Sequence, residues 1–200
     1  MKNKHKWSLL KSHDQPYNIG VFGLHPHAGA TYVTILLAEY LSNIVGYKTA
    51  VIENNIRSDL RSIQLRNPTL DDAKEFELHS ITYYCADLSN KQEEVSLQHF
   101  EYLVHDLGSS YAKASELIQS CDLTIILFTM TPWYCNWEIL SENLAKDYGD
   151  QSHIRLIGNL IPQRLKKQLY QNYHCEFLSI EPDLFEPSLK TIQLFHRILW

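Results

Sequence analysis

The stretch Tyr17–Thr31 constrains the fold of this chain more than any other part of its sequence. A short apolar run over residues 19–22 predicts a buried strand. A loop that contains Gly23 and Gly29 follows it, and a long helical segment begins near Thr31. In this layout of strand, glycine-bearing loop and helix N-terminus, backbone N–H groups and the helix dipole can bind an anion. The stretch therefore predicts an α/β unit with a cradle for phosphate.

Short apolar strands alternate with helical segments along the rest of the chain. Strands are predicted over Tyr17–Gly23, Lys48–Glu53, Phe76–Tyr84, Phe100–Gly108, Cys121–Phe128, Ile154–Ile161 and Glu176–Ile180. Helices are predicted over Ala30–Val45, Ser110–Ser120, Pro132–Tyr148, Arg164–Gln171 and Ser188–Leu199, with one further turn near Leu60. The alternation is typical of an α/β fold with an open, mostly parallel sheet covered by helices on both faces. We expect a single domain over residues 17–200, preceded by a flexible extension over residues 1–16.

The composition excludes several classes of protein. Two hundred residues, 44% of them hydrophobic, can bury one sizeable core. The net charge of −5 gives no support for nucleic-acid binding. No segment has the roughly 20 apolar residues of a membrane span, and no export signal is recognisable, so we expect a cytoplasmic protein. The four cysteines form no C-x-x-C pair, which argues against a structural zinc site.

Three of the predicted strands end in residues suited to one common site. The first runs into the loop Gly23–Thr31, the second ends at Glu53, and a later one ends at Asp106 in an Asp-Leu-Gly turn. The carboxyl ends of parallel strands meet at one edge of an open sheet, which is where such folds bind ligands. The sequence therefore predicts a site built from these three strand ends.

The loop departs from the common phosphate-binding motif at the position of its cation. That motif reads G-x-x-x-x-G-K-[S/T], in which the lysine reaches the β- and γ-phosphates and the hydroxyl holds Mg²⁺. Gly29 and Thr31 fit the motif, whereas Ala30 stands at the lysine and Leu24 at the first glycine. The architecture of an anion cradle is therefore present without its usual positive charge.

The order of these features resembles the ParA/MinD-type P-loop ATPases of the SIMIBI class, which include pilus-localisation proteins of the TadZ/CpaE kind. That family's loop reads K-G-G-x-G-K-T, and its second strand ends in D-x-D. In this chain His25 stands at the family's signature lysine, His27 replaces a glycine, and Ala30 replaces the second lysine. The D-x-D sequence becomes Glu53-Asn54-Asn55, and Asp106 matches the family's third acid.

The resemblance implies roles for particular residues. Phosphate-binding positions are Gly23, His25, His27, Gly29, Ala30 and Thr31. Thr31 and Asp106 correspond to the Mg²⁺ site, and Glu53 and Asp106 are the acids that would serve catalysis in an active member. The implied cofactor is ATP or ADP with Mg²⁺. Because both lysines are missing, it stays open whether the site holds any cofactor.

The missing lysines also shape the expected function. A charge-assisted contact is worth on the order of 1.5–3 kcal/mol, and phosphoryl transfer depends mainly on positioning and charge neutralisation. We therefore expect a pseudo-ATPase that acts as a regulatory or localisation module through a protein partner, with weak or no nucleotide binding. The alternative is a slow ATPase with a non-standard phosphate loop. With His25 at the signature position, a nucleotide-driven homodimer is left open, as are a monomer and a heteromeric complex.

Simpler interpretations compete with several of these assignments. Glu53 would otherwise be a solvated strand end, and Asp106 would cap the helix that follows it. The two loop histidines would be solvated rather than metal ligands. The aromatic segment over residues 131–137 could contact a base or a partner, or pack on the sheet. The C-terminal helix is expected to cover the sheet rather than to bind a membrane surface.

Overall fold

A computed structural model describes residues 15–55, 57, 59–66, 75–85, 97–130 and 152–200. Eight strands form one sheet: β1 (Tyr17–Gly23), β2 (Thr49–Glu53), β3 (Glu75–Leu78), β4 (Ile81–Tyr84), β5 (Tyr102–Asp106), β6 (Leu123–Thr129), β7 (Ile154–Asn159) and β8 (Glu176–Phe177). The described α-helices are α1 (Ala30–Glu39), α2 (Asp59–Arg66), α3 (Tyr111–Ser120), α4 (Gln163–Tyr173) and α5 (Leu189–Leu199), and a short 3₁₀ helix covers Leu97–His99. Helix α1 continues as a π-helical turn over Tyr40–Val45 and ends at Gly46, whose φ is 92°.

The strand order is β3-β4-β2-β5-β1-β6-β7-β8, and only the β3–β4 pair is antiparallel. Strand β1 lies inside the sheet, with β5 on one side and β6 on the other. Its last five residues are buried, because helices cover both faces of the sheet there. The register places Asp106 beside Val21 of β1 and beside Glu53 of β2. The segments that follow β1, β2 and β5 therefore leave the sheet side by side.

Alternate residues of the strands face two separate helical layers. Ile125 of β6 belongs to the large core formed with α1, Leu60 of α2 and Phe195 of α5. Its neighbour Ile126 packs instead against Ile118 of α3, and α4 covers the same face further along the sheet. This alternation follows from the two-residue period of a strand. The predicted three-layer α/β fold is confirmed, and so is the placement of the C-terminal helix on the core.

Two local predictions are wrong. The run Phe76–Tyr84 is not one strand but a hairpin, β3–β4, with Phe76 stacked on Tyr83 across the pair. Its turn residues His79 and Ser80 adopt φ of 52° and 62°, values that non-glycine residues rarely adopt. The sequence has no glycine at these positions that would have indicated the turn. Helix α2 extends over eight residues where one turn was expected.

Some predictions fall outside the described residues. These are the helix over Pro132–Tyr148, the aromatic segment 131–137 and the extension as far as residue 14. The last predicted strand is shorter than expected, because β8 has only two residues. Among the helices that the structure describes, none combines the length and the apolar character that crossing a membrane requires.

Candidate functional site

A cleft of about 510 Å³ opens at the carboxyl edge of the sheet, between the segments that follow β1, β2 and β5. Five of the residues predicted to bind phosphate line it: His25, His27, Gly29, Ala30 and Thr31. The sixth, Gly23, lies at the end of β1 and is held by a hydrogen bond from its N–H to the carbonyl of Gly108, at 2.8 Å. The structure thus brings the predicted phosphate-binding residues together in one concave site.

The loop turns sharply before helix α1 and leaves the start of the helix open. Gly29 has a φ of 103°, and a Cβ atom there would lie 2.8 Å from Nδ2 of Asn159. Asn159 itself donates a hydrogen bond to the carbonyl of Ala28, at 3.0 Å. No side chain caps the N-terminus of α1. The N–H groups of its first turn are therefore left for a ligand or solvent.

Thr31 and Asp106 form the closest polar contact of the site. The Thr31 hydroxyl donates to Oδ2 of Asp106 at 2.6 Å and lies 3.4 Å from Oδ2 of Asp59. The same Oδ2 of Asp106 accepts a bond from Nδ2 of Asn55 at 2.7 Å, and its Oδ1 accepts the N–H of Gly108 at 3.0 Å. The two residues predicted to hold Mg²⁺ are thus adjacent, with a second carboxylate nearby.

The Asp106 carboxyl is fully buried, and burial raises its pKa above the usual range for aspartate. The hydrogen bonds from Thr31, Gly108 and Asn55 oppose this shift, whereas the nearby Asp59 carboxylate adds to it. A cation beside the carboxylate would offset the cost of keeping it ionised. One hydroxyl and one or two carboxylates, completed by phosphate and water, are ligands that suit Mg²⁺. The chemistry of these donors fits the metal that the resemblance implies.

An amide at position 55 suits this arrangement better than the family's carboxylate would. Asn55 is 8% exposed, and its Nδ2 group donates directly to Asp106. A second carboxylate at that distance would repel the first, so that one of the two would have to take up a proton. The Oδ1 atom of Asn55 accepts the backbone N–H of Arg57 at 2.8 Å. Asn55 therefore links the buried acid to the segment that follows β2.

Glu53 has a structural role that the sequence did not indicate. It is only 4% exposed, so the interpretation as a solvated strand end is wrong. Its Oε1 atom accepts the backbone N–H of Leu60 at 3.0 Å. This bond satisfies an N–H group in the first turn of α2, and the negative charge suits that end of a helix. Asp106 likewise does not cap α3, whose N-terminus has no side-chain cap.

His25 is bound to its protein neighbours. Its Nδ1 lies 2.9 Å from the carbonyl of Pro26, and its Nε2 lies 3.2 Å from the backbone N–H of Thr129. An N–H group can only donate, so Nε2 must accept and Nδ1 must carry the proton. The ring is therefore a neutral imidazole in this arrangement. His27 is exposed, with a φ of 66°. In the part of the chain described, no three His, Cys, Asp or Glu residues are grouped to hold a metal by themselves.

Two cations of the cleft belong to no motif in the sequence and were not predicted. Arg57, from the segment after β2, and Lys113, in the first turn of α3, both line the cleft with exposed side chains. Asp59, the first residue of α2, lines it too. The signal was available: the residues that follow a strand's carboxyl end share the edge at which the strand ends.

A second groove, of about 640 Å³, lies between the π-helical turn and α5. Its lining is mostly apolar, with Tyr40, Ile44 and Ile192 among its residues. None of the residues predicted to bind phosphate or metal lies there.

No protein-family model and no curated protein matches the sequence. Solved structures do match its fold. A putative plasmid partition protein from Borrelia burgdorferi B31, bound to AMPPNP, is 18% identical, with a TM-score of 0.67 over 92% of this chain and 97% of its own. A chain of the MinC:MinD cell division protein complex of Aquifex aeolicus is 15% identical, with a TM-score of 0.61 over 92% and 95% of the two chains.

A third match is cobyrinic acid a,c-diamide synthase from Mycobacterium smegmatis, with an ATP analog and magnesium bound. It is 9% identical, with a TM-score of 0.63 over 92% of this chain and 94% of its own. At such identities the likeness establishes the architecture and leaves the activity to be argued from the site. The chain has the fold of the ParA/MinD-type P-loop ATPases.

Proposed function

We propose that the chain is a ParA/MinD-like module that holds the phosphates of a nucleotide with Mg²⁺ in the cleft, weakly, and acts through a protein partner with little or no hydrolysis. The observation that carries the proposal is the Thr31–Asp106 pair at the uncapped start of α1. The pair retains the metal-binding part of the site, while Ala30 occupies the position of the catalytic cation.

Binding rests on groups that do not depend on a lysine. The N–H groups in the first turn of α1 donate to phosphate oxygens, and the helix dipole favours their negative charge. Mg²⁺, when bound, neutralises part of the phosphate charge. Thr31 and Asp106 hold it, and Asn55 keeps the carboxylate in place. Pro26 has no N–H to contribute, which weakens the cradle.

Hydrolysis needs more than this site offers. Charge on the transferred phosphoryl group must be neutralised, and an attacking water must be oriented. Ala30 supplies no charge, and His25 is a neutral ring bonded to Pro26 and Thr129. Glu53, the surviving acid of the second strand, bonds the start of α2 and does not line the cleft. We therefore assign the site to binding rather than to turnover.

The similar structures support a role in partition or localisation. One is described as a putative plasmid partition protein, and another belongs to a complex of MinD with MinC. A site that binds a nucleotide only weakly could still serve such a role, because the role would be carried out through a protein partner. Cys85, Cys121 and Cys175 are buried and form no disulfide bond, which is consistent with a reducing compartment such as the cytoplasm.

The second candidate is a slow ATPase, and the observation that favours it is the pair of cations at the cleft, Arg57 and Lys113. Calorimetric titration with Mg²⁺–ATP, followed by an assay of phosphate release, separates the two. We expect binding in the high-micromolar to millimolar range, with phosphate release no faster than in Asp106→Ala. Release that is clearly faster than in this variant contradicts the proposal. Absence of binding at millimolar ATP contradicts both candidates.

A further inference from the structure

We propose that Lys113 and Arg57 supply the positive charge that the phosphate loop has lost, so that the cations of this site come from the segments after β5 and β2. The inference rests on the proposed binding of a nucleotide's phosphates in the cleft. In this site the positive charges that face the phosphates belong to two residues outside the loop motif. The ligand class is a polyphosphate, free or as part of a nucleotide.

Lys113 is placed on the cleft by the way in which α3 packs. Ala114 and Ile118 are buried against the sheet, and Lys113 lies on the exposed side of the helix, within the lining of the cleft. Helix α3 begins five residues after the buried Asp106, beyond the turn through Gly108. The first turn of α3 therefore begins close to the end of β5, and Lys113 in that turn lines the cleft.

Arg57 is placed by the buried acid through a chain of hydrogen bonds. The backbone N–H of Arg57 donates to Asn55, and Asn55 donates to Asp106, the carboxylate that also accepts the Thr31 hydroxyl. The backbone of Arg57 is thus tied, through Asn55, to the carboxylate that bonds Thr31 at the start of α1. Its planar guanidinium presents paired donors, whose geometry matches phosphate oxygens.

The charge balance of the cleft favours an anion. In a chain with a net charge of −5, Arg57 and Lys113 both line the cleft, and Asp59 is the one carboxylate among the described lining residues. The buried Asp106 behind Thr31 is the second acid of the site, and the bound Mg²⁺ would offset the charge of these acids. Neither cation forms an ion pair or a side-chain hydrogen bond within the part of the chain that the structure describes. The uncapped starts of α1 and α3 add two positive helix ends at the same place. A polyphosphate would satisfy all of these groups together.

The test compares neutral variants of the two cations with matched variants elsewhere on the surface. Lys113→Gln and Arg57→Gln are titrated with Mg²⁺–ATP and with inorganic tripolyphosphate, at two salt concentrations. Lys167→Gln and Arg164→Gln are the controls, since both residues are exposed on α4 and lie outside the cleft. Thermal unfolding of every variant establishes that the fold is retained.

We expect each cleft variant to bind both ligands roughly five- to tenfold more weakly, and the double variant to bind at least about 30-fold more weakly. The dependence of affinity on salt should also decrease, because each variant has one fewer positive charge next to the phosphates of the ligand. The controls should bind like the wild type. If the wild type binds and the cleft variants match the controls, this inference is wrong and the proposed function stands.

The two ligands separate the remaining outcomes. Binding of tripolyphosphate that depends on both cations, without binding of ATP, supports the cation assignment and contradicts the nucleotide. If neither ligand binds to the wild type, both the inference and the proposed function are wrong.

Discussion

Restoring a lysine to the loop is the most informative single change to this protein. Ala30 is the first residue of α1, lines the cleft and is only partly buried. It stands at the lysine of the common motif, so Ala30→Lys should place an ammonium group against the bound phosphates. We expect this variant to bind Mg²⁺–ATP more tightly than the wild type.

The size of the gain follows from one added charged contact. Such a contact is worth about 1.5–3 kcal/mol, which corresponds to roughly 13- to 160-fold in affinity. Ordering the lysine side chain costs up to about 2 kcal/mol, so we expect a net gain of about tenfold. The helix itself should be little affected, because lysine is a good helix former and costs only a few tenths of a kcal/mol relative to alanine.

Calorimetry with Mg²⁺–ATP measures the gain, and Ala30→Gln is the matched control because it adds similar length without charge. The gain should be larger when Lys113 is also replaced by glutamine, because one fewer cation then shares the phosphate charge. If the lysine and glutamine variants bind equally, the start of α1 does not face the phosphates and the account of the cleft is wrong.

Three further predictions concern stability and are measured by urea denaturation. Gly29→Ala should cost about 1 kcal/mol more than Gly46→Ala, because both residues have positive φ but only at Gly29 would a Cβ also meet Asn159, at 2.8 Å; equal costs would contradict the packing of the loop. Burial lowers the pKa of His105 to about 4. The unfolded chain therefore takes up a proton that the native state excludes, and the free energy of unfolding should fall by up to about 3 kcal/mol between pH 6.5 and 4. The slope should be smaller in His105→Gln, where this contribution is absent, and an unchanged slope would contradict it. Thr31→Val should cost about 2 kcal/mol, because a buried carboxylate loses a donor. Thr31→Ser should cost much less, and similar losses in the two variants would show that the hydroxyl is not what matters.

The architecture could be predicted from the sequence because its strands are apolar on both faces and its helices are periodic. Strand β1 was predicted with its observed bounds, and helix α1 with its π-helical continuation was predicted over its observed extent. The hairpin β3–β4 was missed because its turn uses His79 and Ser80 at positive φ in place of glycine or asparagine. The length of helix α2 was underestimated because a contact from outside the helix stabilises its start. The carboxylate that accepts a hydrogen bond from its first turn belongs to Glu53, which lies on strand β2.

The candidate site was predicted only in part, for a similar reason. The residues within the loop follow from local order in the sequence, and the structure brings them together. The role of Asn55 depends on a contact with Asp106, 51 residues away, which no local pattern reveals. Arg57 and Lys113 belong to no motif and enter the cleft only because β2, β5 and β1 are neighbours in the sheet.

The central claim is that the start of α1 binds phosphate, and an NMR titration that follows individual backbone amides tests it most directly. Mg²⁺–ATP is added while the amide signals are recorded, with tripolyphosphate as the comparison ligand. The account predicts that the amides of Gly29, Ala30, Thr31 and Gly108 shift first and most, with both ligands. Shifts confined to the apolar groove around Ile192, or no shift at these four amides at millimolar ligand, would contradict it.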